Sequence, residues 1–280
     1  MWLRQVINLF HLTFRFFVAA MENSPNPSLQ LPLHTLITAS HILHHHSVLD
    51  AYGHVSLRHP LNSSLFIMSR SIAPATISSP SDLIHYHISD ASPVDPSSPP
   101  GYAERHIHSA IYKSHPSVNS VVHSHAESVI PYTILPQTPL RPVYHMAGFL
   151  GSQGTPVFDI AKYLQDDDLQ DMLVRNQHLG DALAGYFATG NNVTLMRGHG
   201  FTAVGESIEM TVFRAIYTAK NAGIQSVALS MMGGGGNGEI KYLNEQEARD
   251  STAMGIWSVS RPWELWVREV ERSGLYENLA

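Results

Sequence analysis

Val121-Val122-His123-Ser124-His125-Ala126 is a short β-branched run that contains His-x-His. β-Branched residues favour a strand. A strand alternates its side chains, so His123 and His125 point to one face. Two neutral imidazoles about 7 Å apart along a strand can close on one metal ion. A third histidine stands downstream in Arg197-Gly198-His199-Gly200, where glycine lets the backbone approach a site closely. Three histidines leave a coordination position open, the pattern of a catalytic metal. An acid, Glu104, lies upstream on a segment of helical spacing. A lone His-x-His is more often two ordinary strand histidines; the third histidine and the acid distinguish this one.

The flanking segments place that strand. Helix signals begin around Tyr102: Ile107, Ile111 and Tyr112 form an apolar stripe, Glu104 and His108 share a face, and Pro116 ends the run. Further upstream, Pro32 to Leu49 has helical spacing with Pro32 suited to the first turn. His44, His45 and His46 point around that helix and cannot all face one site. Short strands follow at Gly53–Arg58, Leu65–Met68 and Leu83–Ile88. The last holds a second His-x-His, His85 and His87, beside Asp90, Asp95 and several prolines, which reads as surface. Downstream, Asp159–Val174 and Gln177–Phe187 read as amphipathic helices, Val193–Arg197 and Phe201–Val204 as strands, and Ser207–Ala222 as a long helix. Tyr144 to Gly154 is an irregular Gly-rich segment. Helices before and after clustered strands predict an α/β protein, three layers α/β/α around a mostly antiparallel sheet.

Composition bounds the rest. At 280 residues, 44% hydrophobic and 14% charged, the chain can bury a large core without staples. There is no cysteine, which excludes disulfides and thiolate metal sites and fits a cytoplasmic protein. A net charge of −6 without a dense basic stripe disfavours nucleic acid. Residues 1–20 carry Phe10, Phe14, Phe16 and Phe17, but Arg15 interrupts the run and it is too short for stable membrane insertion. It reads as a targeting segment, an amphipathic anchor or an upstream start with Met21 as the working initiator; the last is preferred. The expected division is 1–30 extension and linker, 31–232 the α/β domain, and 233–280 a Gly-rich break at Gly233–Gly236 with a helical tail. That tail, Pro262–Val270 with Trp263 and Trp266, should pack on the domain or on a neighbouring subunit.

Glu104-Arg105-His106-Ile107-His108, then Val121 to His125, then Arg197-Gly198-His199-Gly200, together resemble the class II aldolase/adducin family over roughly residues 33–225. The resemblance implies that His123, His125 and His199 are metal ligands and that Glu104 is the catalytic acid/base, able also to approach the metal. It implies a symmetric homo-oligomer, a tetramer, with sites near subunit boundaries. The sugar-phosphate members hold a phosphate with Gly-Asn-x-Ser and a Thr-Pro-Ser-Gly-like loop. Here Gly53-His54-Val55-Ser56 and Ser69-Arg70-Ser71-Ile72-Ala73-Pro74 stand instead. Arginine binds a planar carboxylate bidentately. That loop, with His145-Met146-Ala147-Gly148-Phe149, looks like the branch that contains aromatic-acid decarboxylases.

The expected function is a divalent-metal-dependent carbon–carbon lyase, a decarboxylase or retro-aldolase. Its substrate is expected to be a small, non-phosphorylated carboxylic acid, a hydroxylated aromatic or oxo acid. Zinc is the first choice, with manganese, cobalt or iron fitting the same ligands. Arg70, Ser56, Ser71, His145 and His108 are the expected substrate-binding residues. Each also has a plain structural reading: a surface ion pair for Arg70, turn hydroxyls for Ser56 and Ser71, a helix-cluster hydrogen bond for His108, a loop cap for His145. The rivals are a non-haem iron oxygenase on the same scaffold and a non-catalytic adducin-like interaction module.

Overall fold

The structure is a computed structural model that describes residues 27–233 and 238–280. In chain order the elements begin with α1 (Pro27–His45), β1 (His54–Arg58), β2 (Leu65–Ser69), β3 (Leu83–His87), α2 (Arg105–Ser114) and β4 (Ser120–Ser124). Then come α3 (Ile130–Ile134), β5 (Val157–Phe158), α4 (Gln177–Ala184), β6 (Val193–Met196) and β7 (Gly200–Gly205). Three helices close the chain: α5 (Ile208–Gly233), α6 (Glu245–Ser258) and α7 (Ser260–Arg272).

The strands form one sheet in the order β3-β2-β1-β4-β7-β6-β5. Every pairing is antiparallel except β5 with β6. β4 lies at the centre, where a run of Val121 and Val122 can bury both faces of the strand. Val122 packs into one core with Leu36 and Leu43 of α1, Val212 and Ile216 of α5, and Trp266 and Val270 of α7. Val121 packs into the other with Ile107 and Ile111 of α2, Leu179 and Leu183 of α4, and Phe66. The alternation of one strand thus selects two cores, and the expected three layers with a mostly antiparallel sheet are what the chain forms. His123 follows Val121 by two and therefore faces the α2 side.

Several boundaries differ from expectation. The first helix starts at Pro27, and Pro32 lies inside it. The helix expected over Asp159–Val174 does not form: a short 3-10 turn at Ile160–Lys162 gives way to irregular chain. Aspartates there bind backbone amides instead of leaving them to a helix. Asp159 accepts from Ala161 N, Asp168 from Gln165 N and Asp171 from Leu173 N. α5 continues past Ala222 to Gly233. α6 carries no strong apolar stripe and was not expected, although Asn244 and Glu247 form a capping box at its start. The N-terminal segment and most of the Gly-rich break lie outside the described residues. Among the described residues no helix is long and apolar enough to cross a membrane.

Candidate metal centre

Four donors converge at the α2-facing surface of the central strands. His123 is on β4, and His125 lies just past its end. His199 is in the turn between β6 and β7, and Glu104 immediately precedes α2. The turn is specified by glycine. Gly198 has φ +63°, and a Cβ on Gly200 would stand 2.0 Å from the Ser124 carbonyl oxygen. Only a glycine lets β7 come close enough to β4 to bring His199 beside His125.

The Nε2 atoms of His123 and His125 are 3.0 Å apart, those of His125 and His199 3.1 Å, and those of His123 and His199 3.3 Å. Glu104 Oε2 lies 3.4 Å from His123 Nε2 and 3.5 Å from His199 Nε2. The opposite ring nitrogens are held from outside. The Nδ1 of His199 faces the Met172 carbonyl at 3.0 Å, that of His125 faces the Asp50 carboxylate at 3.2 Å, and that of His123 is 3.4 Å from Thr202 Oγ1. A carbonyl and a carboxylate can only accept, so His199 and His125 carry their protons on Nδ1. Their Nε2 lone pairs then face each other at 3.1 Å, which is repulsive unless a cation stands between them. This donor set fits a divalent ion, with the second layer of partners such sites use.

Burial and charge suit His123 and Glu104 to that role, while His199 is tuned toward holding a proton that an ion would displace. Burial, against the pull of Glu104, takes His123 down to about 4, so it offers a neutral imidazole. Burial favours protonated Glu104, but His123 and His199 outweigh it and hold the carboxyl well below its usual range. Burial pulls His199 down, and the Glu104 carboxylate overcomes this and raises it. Glu104 Oε1 accepts from Val174 N at 3.0 Å, which leaves Oε2 for the centre.

The expected substrate residues distribute differently. Arg70 bridges backbone to backbone with Gly101, three residues before Glu104. Its Nε donates to Asp82 at 2.9 Å, and its side chain is 40% exposed. One edge of the guanidinium is therefore committed, and the terminal nitrogens have no partner among the described residues. Ser71 is exposed, and its N–H donates to Pro100. His145 is exposed in a 3-10 segment, His145–Leu150, that packs against α6. Ser56 and His108 are fully buried and bonded to each other at 2.6 Å, one layer behind the donors.

Sequence reasoning did not find Asp50, Met172, Val174 or Thr202 as partners of the donors. Three act through backbone groups or a hydroxyl, which no spacing rule marks. Asp50 had a signal. Its Oδ1 accepts from Tyr52 N and Gly53 N, both at 2.8 Å, the turn that an aspartate ahead of a glycine predicts.

Residues 34–226 match the model of the Class II Aldolase and Adducin N-terminal domain. The chain is 52% identical over 262 residues to the decarboxylase tropJ of Talaromyces stipitatus, covering 89% of this chain and 98% of that protein. It is 28% identical over 233 residues to the 3,4-dihydroxyphthalate decarboxylase of Arthrobacter keyseri, covering 78% and 84%. Among solved structures, an aldolase II superfamily protein from Pseudomonas syringae superposes with a TM-score of 0.71 at 21% identity, covering 91% of this chain and 98% of that one.

Proposed function

The chain belongs to the class II aldolase and adducin family, and from that premise we propose that it is a metal-dependent decarboxylase of a hydroxylated aromatic acid. The observation that carries the reading is the donor cluster, Glu104, His123, His125 and His199, whose ligand atoms all lie within 4.8 Å of one another. The likeness to two decarboxylases supports the choice of reaction, and the dihydroxyphthalate in the name of the second supports that of substrate class. A retained donor set also weighs against a non-catalytic interaction module.

Loss of CO2 from an aromatic acid leaves an electron pair that must be delocalised, and it ends with a proton on the carbon. A divalent ion held by the three histidines, with zinc as the first choice, would supply Lewis-acid stabilisation of that charge on adjacent substrate oxygens. Glu104 would move the proton. Its carboxyl is ionised at rest, so it first takes the proton of a substrate hydroxyl. The carbon–carboxylate bond then breaks, CO2 departs, and Glu104 returns the proton to the ring carbon. The Val174 amide on Oε1 keeps Oε2 in place through both transfers. The free edge of Arg70 would hold a substrate carboxylate.

Elemental analysis of purified protein, followed by CO2 release from a panel of hydroxylated aromatic acids, tests this. Stoichiometric metal and metal-dependent CO2 release are expected. Oxygen uptake by Fe(II)-loaded protein without CO2 release would instead assign the oxygenase reading. Efficient cleavage of a sugar phosphate would return the chain to the aldolases. Protein purified without stoichiometric metal would favour the interaction module.

A further inference from the structure

Four buried polar groups run in line behind the donor cluster. The Tyr112 hydroxyl is 2.7 Å from Ser56 Oγ, Ser56 Oγ is 2.6 Å from His108 Nδ1, and His108 Nε2 is 2.7 Å from His54 Nδ1. His54 is 2% exposed, Tyr112 1%, and Ser56 and His108 have no exposed surface. The line ends at the centre. His54 pairs with His123 across the β1–β4 ladder, and their rings are 5.1 Å apart. Tyr102 lies against the His54 ring at 4.6 Å. His54 Nε2 has no hydrogen-bond partner among the described residues.

Each of the three contacts holds one proton, and three arrangements are consistent. In one, Tyr112 donates to Ser56, Ser56 to His108 Nδ1, and His108 Nε2–H to His54 Nδ1; His54 then carries its own proton on Nε2. In the second every bond is reversed, and in the third Ser56 Oγ accepts from both the Tyr112 O–H and His108 Nδ1–H; in both of these His54 Nε2 is a bare lone pair. The reversed arrangement turns the Tyr112 O–H away from Ser56. The other polar neighbour of the phenol is the Val121 backbone, which already belongs to the ladders joining β4 to β1 and β7. A buried hydroxyl left unbonded, that of Tyr112 in the reversed arrangement and that of Ser56 in the third, disfavours both by roughly tenfold or more. Both imidazoles are neutral: burial pushes His108 down to about 3, and burial with the nearby His108 and His123 holds His54 well below its ordinary value.

We propose that the chain Tyr112–Ser56–His108 fixes His54 as an Nε2–H donor beside the metal centre, where it hydrogen-bonds a negatively charged oxygen of the substrate. His54 is then a catalytic residue, and His108, Ser56 and Tyr112 are positioning residues. The identity of that oxygen rests on the decarboxylase reading: it is a phenolate or carboxylate oxygen of the aromatic acid. The direction of the chain does not depend on that reading.

The test uses full-length, zinc-loaded protein labelled with 15N at histidine. Two-bond proton–nitrogen correlations report the tautomer of each ring, with His54→Gln and His108→Gln assigning the signals. His54 and His108 are both expected with the proton on Nε2; an Nδ1–H form of His54 overturns the proposal. Ser56→Ala removes the hydroxyl that donates to His108 Nδ1 and should raise the Nδ1–H form of His108. A spectrum unchanged by that substitution overturns the directional argument. In turnover, His54→Leu should lower kcat/KM for CO2 release by roughly tenfold or more with metal content unchanged. His54→Gln, which keeps an N–H near the same position, should recover most of the loss. Full activity in His54→Leu also overturns the proposal. A parent protein that releases no CO2 from any hydroxylated aromatic acid sinks the decarboxylase reading alone, and the tautomer spectrum still decides the chain.

Discussion

At the scale of single residues, each donor is set by what binds its other end. Glu104 gives one oxygen to the Val174 amide and the other to the centre, so replacing it separates position from proton transfer. Glu104→Gln keeps an oxygen for Val174 and removes the ionisable group. Metal content should stay at the parent value while turnover falls by about 10²–10⁴. Unchanged turnover would take Glu104 out of the mechanism. Asp50 is the opposite case, since it faces His125 and not the centre. Asp50→Asn keeps an acceptor for Tyr52 N and Gly53 N and removes the charge behind the ring. Competition against a chelator should show metal affinity lowered by about tenfold, with the fold unaltered. Equal affinity in the two proteins would mean that the Asp50 carboxylate does not support His125.

At the scale of elements, the β6–β7 turn matters most, because it carries His199 to the ligands of β4. A methyl group at position 200 would stand 2.0 Å from the Ser124 carbonyl oxygen. Gly200→Ala should therefore destabilise the protein by about 1–3 kcal/mol, read from the urea midpoint, and lower metal content with it. A variant with the parent's midpoint would mean that the two strands can separate without cost. This turn was legible in Arg197-Gly198-His199-Gly200, and β4 in its paired valines, because both are local chemistry repeated at short spacing. The segment Asp159–Val174 departs from its helical pattern for a physical reason. Its apolar residues have helical spacing, but Asp159, Asp168 and Asp171 take backbone amides for themselves. The resulting loop gives the centre the Met172 carbonyl and the Val174 amide. Met172 adopts a left-handed φ of +70° to do so, which a non-glycine residue does at some cost. Neither a backbone carbonyl nor its direction leaves a mark in side-chain identity. α6 shows the converse, since its capping box was present in Asn244–Glu247 while its apolar pattern was too weak to read.

At the scale of the whole molecule, the helices that close the chain leave apolar surface uncovered. Trp257 is 79% exposed, Met231 73%, Val227 62% and Leu265 56%. Where such residues join into one patch, they mark a contact with another chain. The resemblance to the family implies a homotetramer with closed symmetry, and light scattering should then report about four times the chain mass of 31.0 kDa. Full activity in a monomer would rule this out. The ligands themselves have a second consequence. His199 is 74 positions from His125 in sequence, and the two meet at 3.1 Å. An ion between them would be a cross-link over that distance, in a chain with no cysteine to form one. Unlike a disulfide it is removable, and its strength follows the free ion concentration. At about a thousandfold the dissociation constant, the ion would add about 4 kcal/mol to the folded state. Dialysis against a chelator should lower the melting midpoint by roughly 5–10 °C, and titrating metal back should restore it step by step. A midpoint indifferent to the ion would mean that this part of the sheet holds together without a staple.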